Sequence, residues 1–242
     1  MIVRPQQTLS LQFLAAFLFA CLAPLTLPAQ QPDPAAVIRG VDAAVKARLD
    51  RIASYTVTEH YAVYRNNDET HPAAEMTVKT TYRKESGKSY AILSQSGSPI
   101  LRNFVLGPLL DHEKEINQPA TRQAAFFISA NYEMQLQPGG IRQIDGRDCL
   151  ALAIHPKHKA PNLIQGTLWV DARDYSIVRL EGTASKSPSL LTGPAQVMRQ
   201  YTKVSGFAQA AHARAVSTSP LFGQTVVTID YRDYAIQLQP AN

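Results

Sequence analysis

Three short segments contain residues of types that can take part in catalysis or metal binding. His155 and His158 in "HPKH" have an i, i+3 spacing, but the proline and lysines around them indicate an exposed turn, and no carboxylate or cysteine completes a metal site. The carboxylates of "DHEKE", residues 111–115, could pair an acid with a base, although a solvated helix end explains them equally well. Ser96 and Ser98 in "SQSGSP" lack the Gly-x-Ser-x-Gly pattern of a nucleophile elbow. We therefore predict no catalytic residue, no metal site and a protein that is not an enzyme.

The charge pattern also argues against several kinds of partner. The chain has 24 Lys and Arg against 19 Asp and Glu, a net charge of +5, and the basic residues form no block. Nucleic acid is therefore not indicated. The sequence has no phosphate-binding glycine loop and no dinucleotide fingerprint, so we expect no cofactor. Cys149 in "DCLALAIHP" has the setting of a buried strand residue rather than of a reactive thiol.

The first residues have the layout of a secretory signal. Arg4 precedes an apolar run from Leu9 to Leu27, and small residues follow. We predict a signal peptide over residues 1–29, a single domain over 30–242, and export to the periplasm. A transmembrane anchor is an alternative because the run is nearly long enough to span a bilayer. A membrane-anchored lipoprotein, acylated at Cys21 in "LFAC", is another.

An amphipathic helix of about 18 residues is predicted after the signal. Asp33 and Pro34 suit an N-cap and a first helical residue. The apolar residues that follow recur at helical spacing and predict a core-facing stripe. They are Ile38, Val41, Val45, Leu49 and Ile52.

Most of the remaining chain alternates between apolar and polar residues, which is typical of antiparallel strands with one wet face. We count about nine such segments between Ser54 and Ile236. Residues 99–131 interrupt them with helix formers, and we predict a second short helix from about Ala120 to Ala130. The fold class is mainly β (α+β): a large curled antiparallel sheet forms an open, incomplete β-barrel, and helices cover its concave face.

The segment "GTLWVDARDYSIVRLEG" is predicted to form a hairpin with one apolar face and with Trp169 on the polar side. Something must fill the hollow that this face lines: an acyl chain, or a plug from the protein's own chain. We predict a hydrophobic ligand site there, with a helical lid over it. Its residues are Leu150, Leu152, Ile154, Ile164, Leu168, Val170, Val178, Leu180, Phe126 and Phe127.

Three segments, "DGRDCLALAIHPK", "GTLWVDARDYSIVRLEG" and "GQTVVTIDYRDY", together with the order of elements, resemble the bacterial outer-membrane lipoprotein-carrier (LolA-like) superfamily. The resemblance implies an unclosed antiparallel β-barrel covered by helices. It also implies a non-catalytic periplasmic carrier of lipid or lipoprotein acyl chains. The alternative is an envelope-stress sensor of the same fold that binds a membrane-associated protein partner.

Overall fold

The computed structural model describes residues 32–160, 162–187, 193–219 and 223–240. The predicted signal peptide, and with it both alternatives for the N-terminus, lies outside these residues. None of the helices in the described part of the chain is long and apolar enough to cross a membrane.

The predicted N-terminal helix is confirmed as α1, Pro34–Arg51. Asp33 caps it, since its carboxylate accepts hydrogen bonds from the backbone N–H groups of Ala35 and Ala36 at 3.1 and 3.2 Å. The helix ends where the backbone becomes extended at Ile52. Of the predicted stripe, Val41 is fully buried, and Ile38 and Val45 pack against the same core cluster. Val37, which was not predicted, is also fully buried.

The strands of the described residues form one sheet in which every pair is antiparallel. They are β1 (Ile52–Arg65), β2 (Ala74–Arg83), β3 (Gly87–Gly97), β4 (Tyr132–Leu136), β5 (Arg142–Ile144), β6 (Arg147–Pro156), β7 (Ile164–Asp171), β8 (Ile177–Ala184), β9 (Gln196–Val204), β10 (Phe207–Ser219) and β11 (Gly223–Leu238). The order is β3-β2-β1-β11-β10-β9-β8-β7-β6-β4, and β5 pairs with β6. Because β3 and β4 are not paired with each other, the sheet is not closed into a barrel. The predicted open antiparallel sheet is confirmed, with eleven strands in the described part of the chain in place of nine, because β4 and β5 were not predicted.

The helices lie on one face of this sheet, which we call the covered face. Residues directly opposite each other in neighbouring strands share a face. Starting from Leu168, these partners run through Leu180, Arg199, Ala213, Ile229, Tyr61 and Met76. One end of this row packs against α1 and the other end packs against the middle helices, so both helical covers lie on the same side.

The middle of the chain contains one long helical segment. It consists of α2 (Pro99–Leu101), a π-helical turn (Arg102–Leu106) and α3 (Gly107–Ile116). The predicted helix from Ala120 to Ala130 is wrong, because only Arg122–Ala125 form a 3-10 turn. The Asn131 side chain donates hydrogen bonds to the carbonyls of Gln123 and Phe126 at 2.7 and 2.9 Å, which a continuing helix would occupy with backbone N–H groups.

Candidate functional site: the covered face and its crevice

Most of the ten residues predicted to form the hydrophobic ligand site lie together in the structure. Eight of the ten belong to one cluster on the covered face: Phe127, Leu150, Leu152, Ile154, Ile164, Leu168, Val170 and Leu180. Val178 is fully buried but belongs to none of the hydrophobic clusters found among the described residues. A register shift between Trp169 and Val170 places Ile177 opposite Val170, so Ile177 takes the place that simple alternation gave to Val178.

The chain's own helix fills this part of the hollow. Val37 and Val41 of α1 are both 0% exposed and pack into the same cluster as Leu168 and Leu180. The ring of Phe127 lies 5.4 Å from that of Tyr132, and burial raises the pKa of Tyr132 to about 12. The sequence left two possibilities for what fills the hollow, an acyl chain or a segment of the protein itself. In this conformation the protein's own helix α1 fills it.

A crevice with a volume of about 460 Å³ lies between α1 and residues 119–130. Its apolar lining comes from Val45 and Leu49 of α1 and from Phe126 and Ile128 on the opposite side. Phe126 therefore lines this crevice and is not part of the buried cluster below α1. The volume is in the range of pockets that hold small ligands, roughly 300–1,000 Å³.

Hydrogen bonds fasten α1 at two points. At its middle, the Asp42 carboxylate accepts hydrogen bonds from the backbone N–H of Ser129 at 2.8 Å and from the Ser129 hydroxyl. Near its C-terminus, Arg48 donates to the carbonyl of Ala208 and to the Gln209 side chain, both at 3.0 Å. The first contact joins the two walls of the crevice, so it controls how far they can separate.

The other half of the covered face contains buried charge. Lys88 of β3 forms an ion pair with Glu113 of α3 at 3.0 Å, and the two side chains are only 14% and 20% exposed. Burial alone would raise the pKa of Glu113, but the charges of Lys88 and Arg199 outweigh it and lower that pKa to about 2. Nearby, Glu59 is 3% exposed and accepts a hydrogen bond from the Tyr61 hydroxyl.

The interpretation of residues 111–115 as a solvated helix end is wrong for Glu113, and its buried partners were not predicted, although a signal was present. Glu59 interrupts the apolar set of β1, and Arg199 stands between Val197 and Tyr201 in the inward set of β9. A charged residue at an inward position of an alternating strand predicts a buried partner.

The side chains first considered for chemistry lie apart from the crevice. His155 and His158 are exposed. Asp111 accepts a hydrogen bond from the Tyr90 hydroxyl at 2.9 Å, and Ser98 caps α2. Cys149 is fully buried, and burial raises its pKa to about 11. Within residues 32–160, 162–187, 193–219 and 223–240, no group of three His, Cys, Asp or Glu residues could hold a metal ion.

Comparison with known proteins gives structural matches only. No protein-family model and no curated protein matches the sequence. A LolA superfamily protein from Nitrosomonas europaea is 14% identical, with a TM-score of 0.45 over 86% of this chain and 96% of that chain. A DUF1329 family protein from Desulfovibrio piger is 16% identical, with a TM-score of 0.42 over 87% of this chain and 96% of that one. A domain assigned to outer membrane lipoprotein sorting, from Vibrio parahaemolyticus, is 15% identical, with a TM-score of 0.45 over 83% and 93%.

The first of these structures carries the superfamily name that the sequence motifs also suggest. All three likenesses have TM-scores below 0.5. The assignment of the fold therefore rests on the strand pairing of this chain itself.

Proposed function

We propose that residues 30–242 form a non-catalytic binding protein that holds an acyl chain of a lipid or lipoprotein against the covered face. The protein is exported to the periplasm by the signal peptide at residues 1–29. The observation that carries the proposal is an apolar sheet face whose cover, α1, borders a crevice lined by Val45, Leu49, Phe126 and Ile128. An acyl chain that enters the crevice therefore reaches the edge of the apolar face that α1 covers.

Energetics make such a surface useful to a carrier. Exposing hydrocarbon to water costs about 0.8 kcal/mol per methylene, so an acyl chain does not cross an aqueous compartment unaided. The cluster residues Leu152, Leu168 and Leu180 are each 0% exposed, so they offer an environment similar to the bilayer interior. Transfer of an acyl chain from the bilayer to the covered face then needs little free energy and no covalent step.

Binding on the covered face requires α1 to move. An incoming chain must replace the contacts that Val37 and Val41 make in the cluster, and the Asp42–Ser129 hydrogen bonds must break. Hydrocarbon replaces apolar side chains with apolar groups of the ligand, so the hydrophobic contribution is largely conserved.

The test is lipid extraction and mass spectrometry of protein purified from its native compartment, together with uptake of a hydrophobic fluorescent probe. We expect a co-purifying amphiphile and saturable probe binding. The proposal fails if no amphiphile co-purifies and the probe does not bind.

A second candidate function is favoured by the filled hollow. If Val37 and Val41 never leave the cluster, the covered face is permanently occupied by α1, as expected of a sensor module that binds a membrane-associated protein partner. Measured binding to the periplasmic part of such a partner, with no lipid or probe bound, would favour this candidate over the carrier.

A further inference from the structure

The crevice beside α1 continues into a second cavity of different character. This cavity has a volume of about 560 Å³ and shares Asp50 and Lys84 with the crevice. Its other lining residues are Arg51, Gln239 and Pro240. One end of the combined groove is therefore apolar and the other end is polar, which is the pattern of an amphiphile.

Two of the cations along this groove, Lys84 and Arg122, donate hydrogen bonds to neutral acceptors. The Lys84 ammonium donates to the carbonyl of Asp50 and to the side-chain oxygen of Gln239, both at 3.2 Å. Arg122 donates to the Tyr82 hydroxyl at 3.0 Å and to the carbonyl of Lys84. The buried Nε–H of Arg51 finds no hydrogen-bond acceptor among the described residues.

The carboxylates that face the groove already have partners. Asp50 forms an ion pair with Lys46, and Asp42 accepts both hydrogen bonds from Ser129. Four cationic and two anionic side chains line the groove among the described residues. The excess positive charge thus lies on Arg51, Lys84 and Arg122, at the polar end and beside the apolar end.

We propose that this groove binds an amphiphile with an anionic headgroup, a carboxylate or a phosphate, whose acyl chain enters between Val45 and Phe126 towards the covered face. The inference rests on the proposed function and adds the class of ligand. The headgroup accepts charge-assisted hydrogen bonds from Lys84 and Arg122 and supplies the acceptor that the Arg51 Nε–H lacks. A neutral ester of the same length fills the apolar end equally well but leaves these cations without an anion.

The experiment compares 11-(dansylamino)undecanoic acid with its methyl ester by fluorescence titration of the full exported protein. We expect the acid to bind at least about tenfold more tightly than the ester, because a single charge-assisted hydrogen bond has an effect of about that size. This preference should shrink when the ionic strength is raised, because salt screens partly exposed charges.

Lys84→Gln and Arg122→Gln should each reduce the affinity for the acid about fivefold and leave the affinity for the ester within about twofold. Lys84→Arg, which keeps the charge, should retain the preference for the acid. The matched control is Lys114→Gln, which removes one positive charge at an exposed position on α3 and should change neither affinity. Thermal unfolding of each variant separates loss of binding from loss of folding.

The outcomes separate the two proposals. Equal binding of acid and ester by the unaltered protein overturns the anionic headgroup and leaves the carrier function intact. Binding of neither probe refutes the carrier function together with this inference. Displacement of the acid probe by acetate or inorganic phosphate at similar concentrations would indicate a simple anion site and would overturn the amphiphile.

Discussion

The two halves of the covered face are held in different ways. Under α1, strands β6 to β8 supply Leu152, Leu168 and Leu180, and the contacts are almost entirely apolar. Under α3, strands β1 to β3 combine Tyr61 and Met76 with the buried Lys88–Glu113 pair. Apolar contacts accept any hydrocarbon of suitable shape, whereas a buried ion pair has one partner and one geometry. The half under α1 is therefore suited to exchange its filling, and the half under α3 is suited to stay closed.

The largest effect is expected from breaking the ion pair in the α3 half. Glu113→Gln leaves the buried Lys88 ammonium without its ion-pair partner and should lower the free energy of unfolding by about 4 kcal/mol. Unfolding in urea measures this change in the free energy of unfolding. The exposed Glu115→Gln, two residues further along α3, is the control and should change it by less than about 0.5 kcal/mol.

The corresponding test of the α1 half removes apolar volume. Leu168→Ala creates a cavity in the cluster and should lower the free energy of unfolding by about 3 kcal/mol. Leu93→Ala, in strand β3 at a position that is 60% exposed, should cost less than about 0.5 kcal/mol. Similar unfolding midpoints in urea for the two variants would contradict the assignment of Leu168 to the core.

The two halves should also differ in their response to acid. The pKa of Glu113 is about 2 in the folded protein against an ordinary value of 4.5, so the unfolded chain binds more protons at acid pH. This contribution is complete above about pH 5 and is lost as the pH falls towards 2, with a size of roughly 3 kcal/mol. Glu113→Gln should flatten that part of the stability profile, while Leu168→Ala should shift the profile without changing its slope. An unchanged slope in Glu113→Gln would show that other carboxylates carry the acid dependence.

Features formed by residues that are close together in the chain could be predicted from the sequence, and features formed by distant residues could not. The α1 half was predicted because alternation in β6 to β8 and the Asp33 cap are set by neighbouring residues. The ion pair of the α3 half was not predicted, because Lys88 and Glu113 lie 25 residues apart and neither segment identifies its partner. The wrong prediction of a helix at residues 120–130 has the same origin, since the backbone N–H of Ser129 donates a hydrogen bond to Asp42, 87 residues away. The crevice depends on that contact and could not be located from sequence, although Phe126 was among the predicted ligand residues.

A smaller effect is expected at the contact that joins the walls of the crevice. Asp42→Ala removes the acceptor of two hydrogen bonds from Ser129 and should lower the free energy of unfolding by about 1 to 2 kcal/mol. It should also speed the uptake of a hydrophobic probe in stopped-flow fluorescence, because α1 then separates more easily. Asp50→Ala, which removes an exposed ion pair with Lys46, is the stability control and should leave the urea midpoint nearly unchanged. Uptake as slow as in the unaltered protein would show that this contact does not limit opening.

The most direct test of the central claim, that α1 must move before hydrocarbon reaches the covered face, is a reversible cross-link. Asp42→Cys and Ser129→Cys place two thiols where side chains already touch, in a Cys21→Ser background, and the buried Cys149 stays protonated. Thiol titration reports whether the bridge has formed, and probe uptake is measured before and after reduction. The account predicts that the oxidised protein takes up the probe at least about tenfold more slowly and that reduction restores the rate. Uptake at the same rate in the oxidised and reduced protein would contradict it.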